Sequence, residues 1–449
     1  MWMKMTRRLA DESPLPMPSS GPVRERAPAW LRALLWVSVA VLVVTMCVGR
    51  VSAIRFDDDN LYLDYWAQSD PSRAEPLESR LIERVRATPG CEAMTHRLSL
   101  RQRYGTNYAG YLAVQHALQT VAEHVVPHGP PAIIAGTIAV KALFFLVMTA
   151  ALFALGWRVR ERPLALGIVL AFLLLAAADI ATHWLPSYVI VDVDDPARAA
   201  WQVAYSLFFP ASALSTFGIT PRNPALLLFS IAVVLLWRRQ WVAASVAILL
   251  MSPLHQTYAS VGLALFSVTA LIAVPEAFAP RAARIALCLA GLVYLYRERL
   301  FAGLGPLPRM ASAAALLGVA FLGFSIAASP RFLALRRRFL GGWAERPLVT
   351  SAAVLSVFAV TIGLGSLLGN ALSTAPTYHN MWAESAGRIG SFARLPVAIA
   401  IITTLLARPA FSSARRQAWL YAGATLASLL LAAHAARPFR ADAWQRCEG

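Results

Sequence analysis

Long apolar blocks separated by short polar ones run along most of this chain. The first, Ala29 to Gly49, spans about 30 Å as a helix, a full hydrocarbon crossing. Further apolar blocks at 132–157, 163–185, 224–237, 241–253, 257–275, 285–296, 310–329, 347–370, 395–407 and 417–436 predict helices of the same kind. The stretch 241–274 is too long for one crossing, and Ser252-Pro253 is a natural break, so it predicts two short helices meeting near the outer face. The pattern predicts an all-α polytopic transmembrane bundle of about 11 spans. Residues 1–28 form a basic tail and 29–275 a membrane core that includes a long outer loop, 50–131. Residues 276–449 supply additional transmembrane helices. Val51-Ser52-Ala53 resembles a signal-cleavage site, but the apolar run before it exceeds a typical signal core, so the segment reads as a retained anchor.

Composition narrows the class. Apolar residues make up 58% of the chain and charged ones 14%, which excludes a soluble globular enzyme, a disordered chain and a small disulfide scaffold. The net charge of +17 raises the question of nucleic acid, but its distribution answers it. With the N-terminus in the cytoplasm, 21 of the 41 Lys and Arg fall on the inner side, among them Arg238, Arg239 and Arg336-Arg337-Arg338. The short outer segments hold ten, as expected for a multi-pass protein of the cytoplasmic membrane with its active face outside. The partners this implies are membrane lipids and not nucleic acid. Seventeen of the 24 acids and all eight histidines fall on the outer side or at outer ends of spans, which is where chemistry is expected.

The first outer loop offers two helices, Leu77 to Arg86 and Asn107 to Val125, that either lie in the membrane interface or pack on outer ends of spans. In the second, Tyr108, Tyr111, Leu112, Leu118, Val121 and Val125 mark the apolar side, Gln115 interrupts it, and His116, Gln119 and Glu123 face away. The densest chemical feature is Asp57-Asp58-Asp59-Asn60, just past the first span. Adjacent carboxylates repel, so at least one pKa rises. Either one acts as a general base while another holds a divalent cation such as Mg or Mn, or the run is a solvated turn capping a helix. Asp192 and Asp194 in the segment 186–223 are further candidate cation ligands, and Arg222 at the start of the next span grips a lipid phosphate or snorkels to the interface. His255 lies at the break after Ser252-Pro253-Leu254, where non-helical backbone must line a cavity or be covered by protein. Asp179 and His183 are four residues apart, as either a structural pair or a proton relay. Tyr378-His379-Asn380-Met381-Trp382 with Glu384 and Arg388 predicts an aromatic, polar outer loop suited to a sugar or headgroup. Cys91 and Cys447, both outside, are either bridged or free thiols. No phosphate-binding glycine loop, zinc-protease helix or serine nucleophile elbow occurs.

The acidic run directly after the first span, the long outer loop with helical candidates, and the series Thr220-Pro221-Arg222-Asn223, Arg238-Arg239-Gln240-Trp241 and Pro253-Leu254-His255 resemble the GT-C superfamily of polytopic glycosyltransferases over residues 29–275. The resemblance implies a polyprenyl-phosphate-linked sugar donor entering from the outer leaflet and a glycan or lipid acceptor. Asp57, Asp58 or Asp59 would be the base on the acceptor hydroxyl, and Arg222 with His255 would neutralise the leaving phosphate. His379 and Glu384 would be substrate-binding. No resident cofactor beyond a divalent cation is implied. Two other classes stay open: an O-antigen polymerase or ligase, and a non-enzymatic transporter or flippase-like protein.

Overall fold

The computed structural model of the chain describes residues 27–51, 109–127, 130–158, 162–182, 222–278, 284, 287–288, 291, 306–342, 346–372, 376–411 and 413–435. These residues form helices and no strand: α1 (Ala29–Val51), α2 (Ala109–Ala122), α3 (Pro130–Arg158), α4 (Arg162–Thr182), α5 (Arg222–Trp237), α6 (Trp241–Leu254), α7 (Gln256–Ala273), α8 (Pro306–Ala327), α9 (Pro330–Leu340), α10 (Pro347–Leu372), α11 (Pro376–Leu406) and α12 (Ala414–Ala435). Five of them open on proline, whose fixed φ suits the first helical position and whose missing N–H costs nothing there. Inside the apolar helices, Ser38, Thr45, Ser230, Ser245, Thr404, Thr425 and Ser428 turn their hydroxyls back onto carbonyls of their own helix. That satisfies a hydroxyl where no water is at hand.

Four described helices are long and apolar enough to cross a membrane, or five if α8 and α9 form one span bent by 64°. Apolar stretches in α4, α5, α6, α7 and α11 are shorter than that. Helices occupy ten of the eleven expected positions, but eleven full-length crossings are more than they supply. The reason is length: α5, α6 and α7 reach only about 24, 21 and 27 Å, against about 30 Å of hydrocarbon. Most of 285–296 lies outside the described residues.

Helix α5 is the hub. Every residue from Asn223 to Leu236 is buried, and α5 packs on α3, α6, α7 and α11. A helix apolar on all sides belongs at the centre of a bundle. Apolar side chains gain little from leaving lipid for protein, so close packing must hold the helices together. Small residues provide it. A Cβ on Gly167 of α4 would stand 3.2 Å from the Thr403 Cα of α11, and one on Gly262 of α7 would stand 3.2 Å from the Phe392 ring.

These contacts also fix the two ends of the bundle. Gly167, near the start of α4, meets Thr403, near the end of α11, so the two helices run antiparallel. One end carries the Arg238-Arg239 turn, α9 and the turn after α11 with Arg408; this is the basic end. At the turn, the Gln240 N–H bonds the Leu235 carbonyl across 2.9 Å, and Arg239 takes a left-handed φ of 58°. That conformation favours glycine. Arg239→Gly is expected to stabilise the chain by about 1 kcal/mol, read as a higher melting temperature in detergent.

Two segments depart from expectation. Residues 378–388, expected as an outer loop, continue α11, which runs unbroken from Pro376 to Leu406 with Pro396 inside it. The helix expected at 107–125 forms as α2 and packs on α3 and α6, but its faces are partly exchanged. Gln115 and Gln119 are buried, whereas Val121 is 66% and Val125 86% exposed. Gln115 is drawn inward because its Nε2 donates to the Thr137 hydroxyl of α3 across 3.1 Å. The candidate helix at Leu77 to Arg86 lies outside the described residues, as do Cys91, Cys447 and His183; Asp179 lies on α4 with its side chain undescribed.

Candidate functional site

The site grows from the break between α6 and α7. Pro253 lacks an N–H and His255 leaves the helix, with φ −159° and ψ 98°, to become the N-cap of α7. Its Nδ1 accepts the Tyr258 backbone N–H at 3.3 Å. A ring nitrogen that accepts is unprotonated, so the neutral imidazole carries its proton on Nε2. The histidine is 5% exposed, and its ring lies 4.3 Å from that of Tyr258. An aromatic ladder continues from there: Tyr258 to Phe392 at 5.3 Å, then Phe392 to Phe229 of α5 at 5.0 Å, edge to face. Arg394, two residues beyond Phe392 on α11, is close enough to interact electrostatically with Tyr258.

Because α6 is only about 21 Å long, the break sits well inside the bundle. Counting back from Arg158 on α3, the same height is reached near Phe144, the middle of that helix. Helix α2 occupies the space above. It runs antiparallel to α3, with the Tyr111 ring stacked on Phe144 at 5.0 Å and Gln119 against Gly136. Its N-terminal turn rests on the break itself: a Cβ on Gly110 would stand 2.7 Å from the Pro253 carbonyl oxygen. Thus the polar backbone of the break is covered by protein, as the membrane interior demands. The N-termini of α5 and α7 both lie at this end, each with the partial positive charge of a helix start; in α7 the Tyr258 N–H is already held by His255. Asn223, 2% exposed, lies in the first turn of α5.

Of the residues expected from the sequence, His255 is at the break and Arg222 is the first residue of α5, on the same end of the bundle. Glu384 and His379 are on α11, about 12 and 20 Å along the helix axis from Phe392 toward the Arg222 end. The side chains of Arg222, His379 and Glu384 are undescribed, and Asp57, Asp58, Asp59, Asp192 and Asp194 lie outside the described residues. Among the described residues no three His, Cys, Asp or Glu side chains come together as metal ligands. Three groups near the break were not anticipated: Asn223, Tyr258 and Arg394. The signal was present in the last, a lone Arg inside the apolar run 390–406, and in the three-residue spacing of His255 and Tyr258. Lys141 (3% exposed) is one helical turn from Thr137 on the face of α3 that meets α2.

The described residues form an all-helical fold with several helices able to cross a membrane. Compared with family models, with curated proteins and with solved structures, the chain matches none.

Proposed function

We propose that this chain is a membrane glycosyltransferase of the GT-C kind, moving a sugar from a polyprenyl-phosphate donor to a glycan or lipid acceptor at the outer face of the cytoplasmic membrane. The observation that carries the reading is the recessed break at His255. Helix α5 begins with Arg222 and α7 is capped by His255, which bears an Nε2 proton, and both helices start at the same end of the bundle. Departure of the sugar leaves an anionic lipid phosphate, and helix N-termini with an Arg are the groups that hold phosphate. Asp57, Asp58 or Asp59 is the base that takes the acceptor proton. Glu384 and His379, further up α11, contact the acceptor or the outer part of the donor. The basic end with Arg238, Arg239 and α9 then faces the cytoplasm, in accord with the positive-inside rule.

The test is transfer from a synthetic polyprenyl-phosphate sugar in membranes bearing the full chain. Arg222→Gln and His255→Gln are each expected to lower turnover about 100-fold, the scale of losing one charge-stabilising donor, with membrane insertion unchanged. Wild-type turnover in both variants would overturn the assignment of the phosphate site.

A further inference from the structure

Helix α9, PRFLALRRRFL, has three faces rather than two. It begins with Ser329, whose hydroxyl accepts the Phe332 N–H at 3.3 Å, and ends at Gly341 with φ 53°. The bend of 64° from α8 turns it across the direction of the span before it. On a projection of 100° per residue, Leu333, Arg336 and Leu340 share one face. This is the protein-facing side. Arg336 is 6% exposed: its Nε donates to the Ile272 carbonyl, an Nη donates to the Ala273 carbonyl at 2.9 Å, and the other meets the Glu276 carboxylate at 3.4 Å. The guanidinium thereby satisfies carbonyls at the C-terminus of α7, where a cation is also favoured by the helix dipole.

Phe332, Leu335 and Phe339 share a second face about 100° round from the first, with Phe332 half-buried, Leu335 51% and Phe339 80% exposed. Arg331 and Arg338, both exposed, line one edge of that stripe two turns apart. Arg337, also exposed, projects roughly 170° from the stripe. A bare apolar stripe bordered by arginines, on a helix turned across the bundle, matches the boundary between acyl chains and headgroups.

We propose that α9 is a binding site for anionic phospholipid: Phe332, Leu335 and Phe339 enter the acyl region, and Arg331 and Arg338 hold the phosphate-bearing headgroups. Arg336 anchors the helix to α7 so that the other faces are presented in fixed register, and Arg337 takes no part. Charge complementarity selects the occupant, because two arginines beside an apolar stripe favour a lipid with a net negative headgroup over a zwitterionic one.

The experiment is native mass spectrometry of the detergent-solubilised full chain titrated with equal phosphatidylglycerol and phosphatidylcholine. The wild type is expected to retain phosphatidylglycerol preferentially, and the preference should shrink in high salt. R331Q/R338Q is expected to reduce the ratio of the two bound lipids about ten- to thirty-fold, whereas R337Q leaves it within about two-fold. R331K/R338K keeps the charge and is expected to keep most of the preference; its melting temperature, with that of the Gln variants, reports folding. The proposal is overturned by equal retention of the two lipids in the wild type, by an unchanged ratio in R331Q/R338Q, by an equal fall in R337Q, or by loss of preference in R331K/R338K.

Discussion

Gly110→Val is expected to abolish the seat of α2 on the α6–α7 break. Even a Cβ there would stand 2.7 Å from the Pro253 carbonyl oxygen, closer than real contacts allow, and the obstacle is backbone, which cannot rotate aside. Valine adds two methyl groups on a stiff χ1. Overpacking against a mobile side chain costs about 1–3 kcal/mol; against backbone the helix must move. The displacement uncovers the polar main chain around His255 and breaks the Tyr111–Phe144 stack. A fall in melting temperature of several degrees and at least a ten-fold loss of the proposed transfer activity are expected, the latter on the scale of a 1 Å misplacement of reacting groups. Gly110→Ala should show a milder version of both effects. Gly423 serves as control, since a Cβ there meets nothing within 4 Å. Normal stability and activity in Gly110→Val would mean that α2 does not rest on the break.

The second large effect concerns Asp57, Asp58 and Asp59. Replacing all three by Asn keeps volume and hydrogen-bonding capacity while removing every carboxylate that can accept the acceptor's proton. Transfer should fall by about 100- to 10,000-fold, the contribution of a positioned base, with insertion and melting temperature close to wild type. The single Asp→Asn variants then tell which carboxylate is the base, because only that one should approach the triple variant. Full activity in the triple variant would remove the run from the mechanism and with it the main sequence feature behind the glycosyltransferase reading.

How much of this was legible in the chain depends on how local each signal is. The break at His255 was readable because Ser252-Pro253 interrupts an apolar run too long for one span, and α6 and α7 meet there, but its depth was not: expected near the outer face, it lies well inside the bundle because α6 is only about 21 Å long. The position of α2 was readable from its spacing, but not its orientation. Gln115 looks like an interruption of an apolar face until Thr137, distant in sequence, offers it a hydroxyl. Residues 378–388 misled for a different reason: Tyr378, His379, Asn380 and Glu384 lower the local hydropathy, yet helix formation requires backbone geometry and not apolarity, and Pro376 opens it well. The Arg336 anchor joins groups 63 and 64 residues apart. Nothing in the run of three arginines says that the first is buried and the other two exposed. At the candidate site, His255 and Arg222 fell at the same end of the bundle as read, while Tyr258 and Arg394 emerged only from packing between α7 and α11.

The central position of α5 has a kinetic consequence. Its amides from Leu226 to Leu236 can meet solvent only if the helices around it part together, since α3, α6, α7, α10 and α11 all pack against it. Deuterium should therefore enter α5 last, at the rate of global opening. Helix α12, with Trp419 and Leu430 turned outward, should exchange by smaller local openings at its ends. A ligand that binds at the Arg222 end and needs the whole bundle intact would slow exchange in α5 more than in α12, so labelling of this one helix gives a binding assay that needs no knowledge of the sugar.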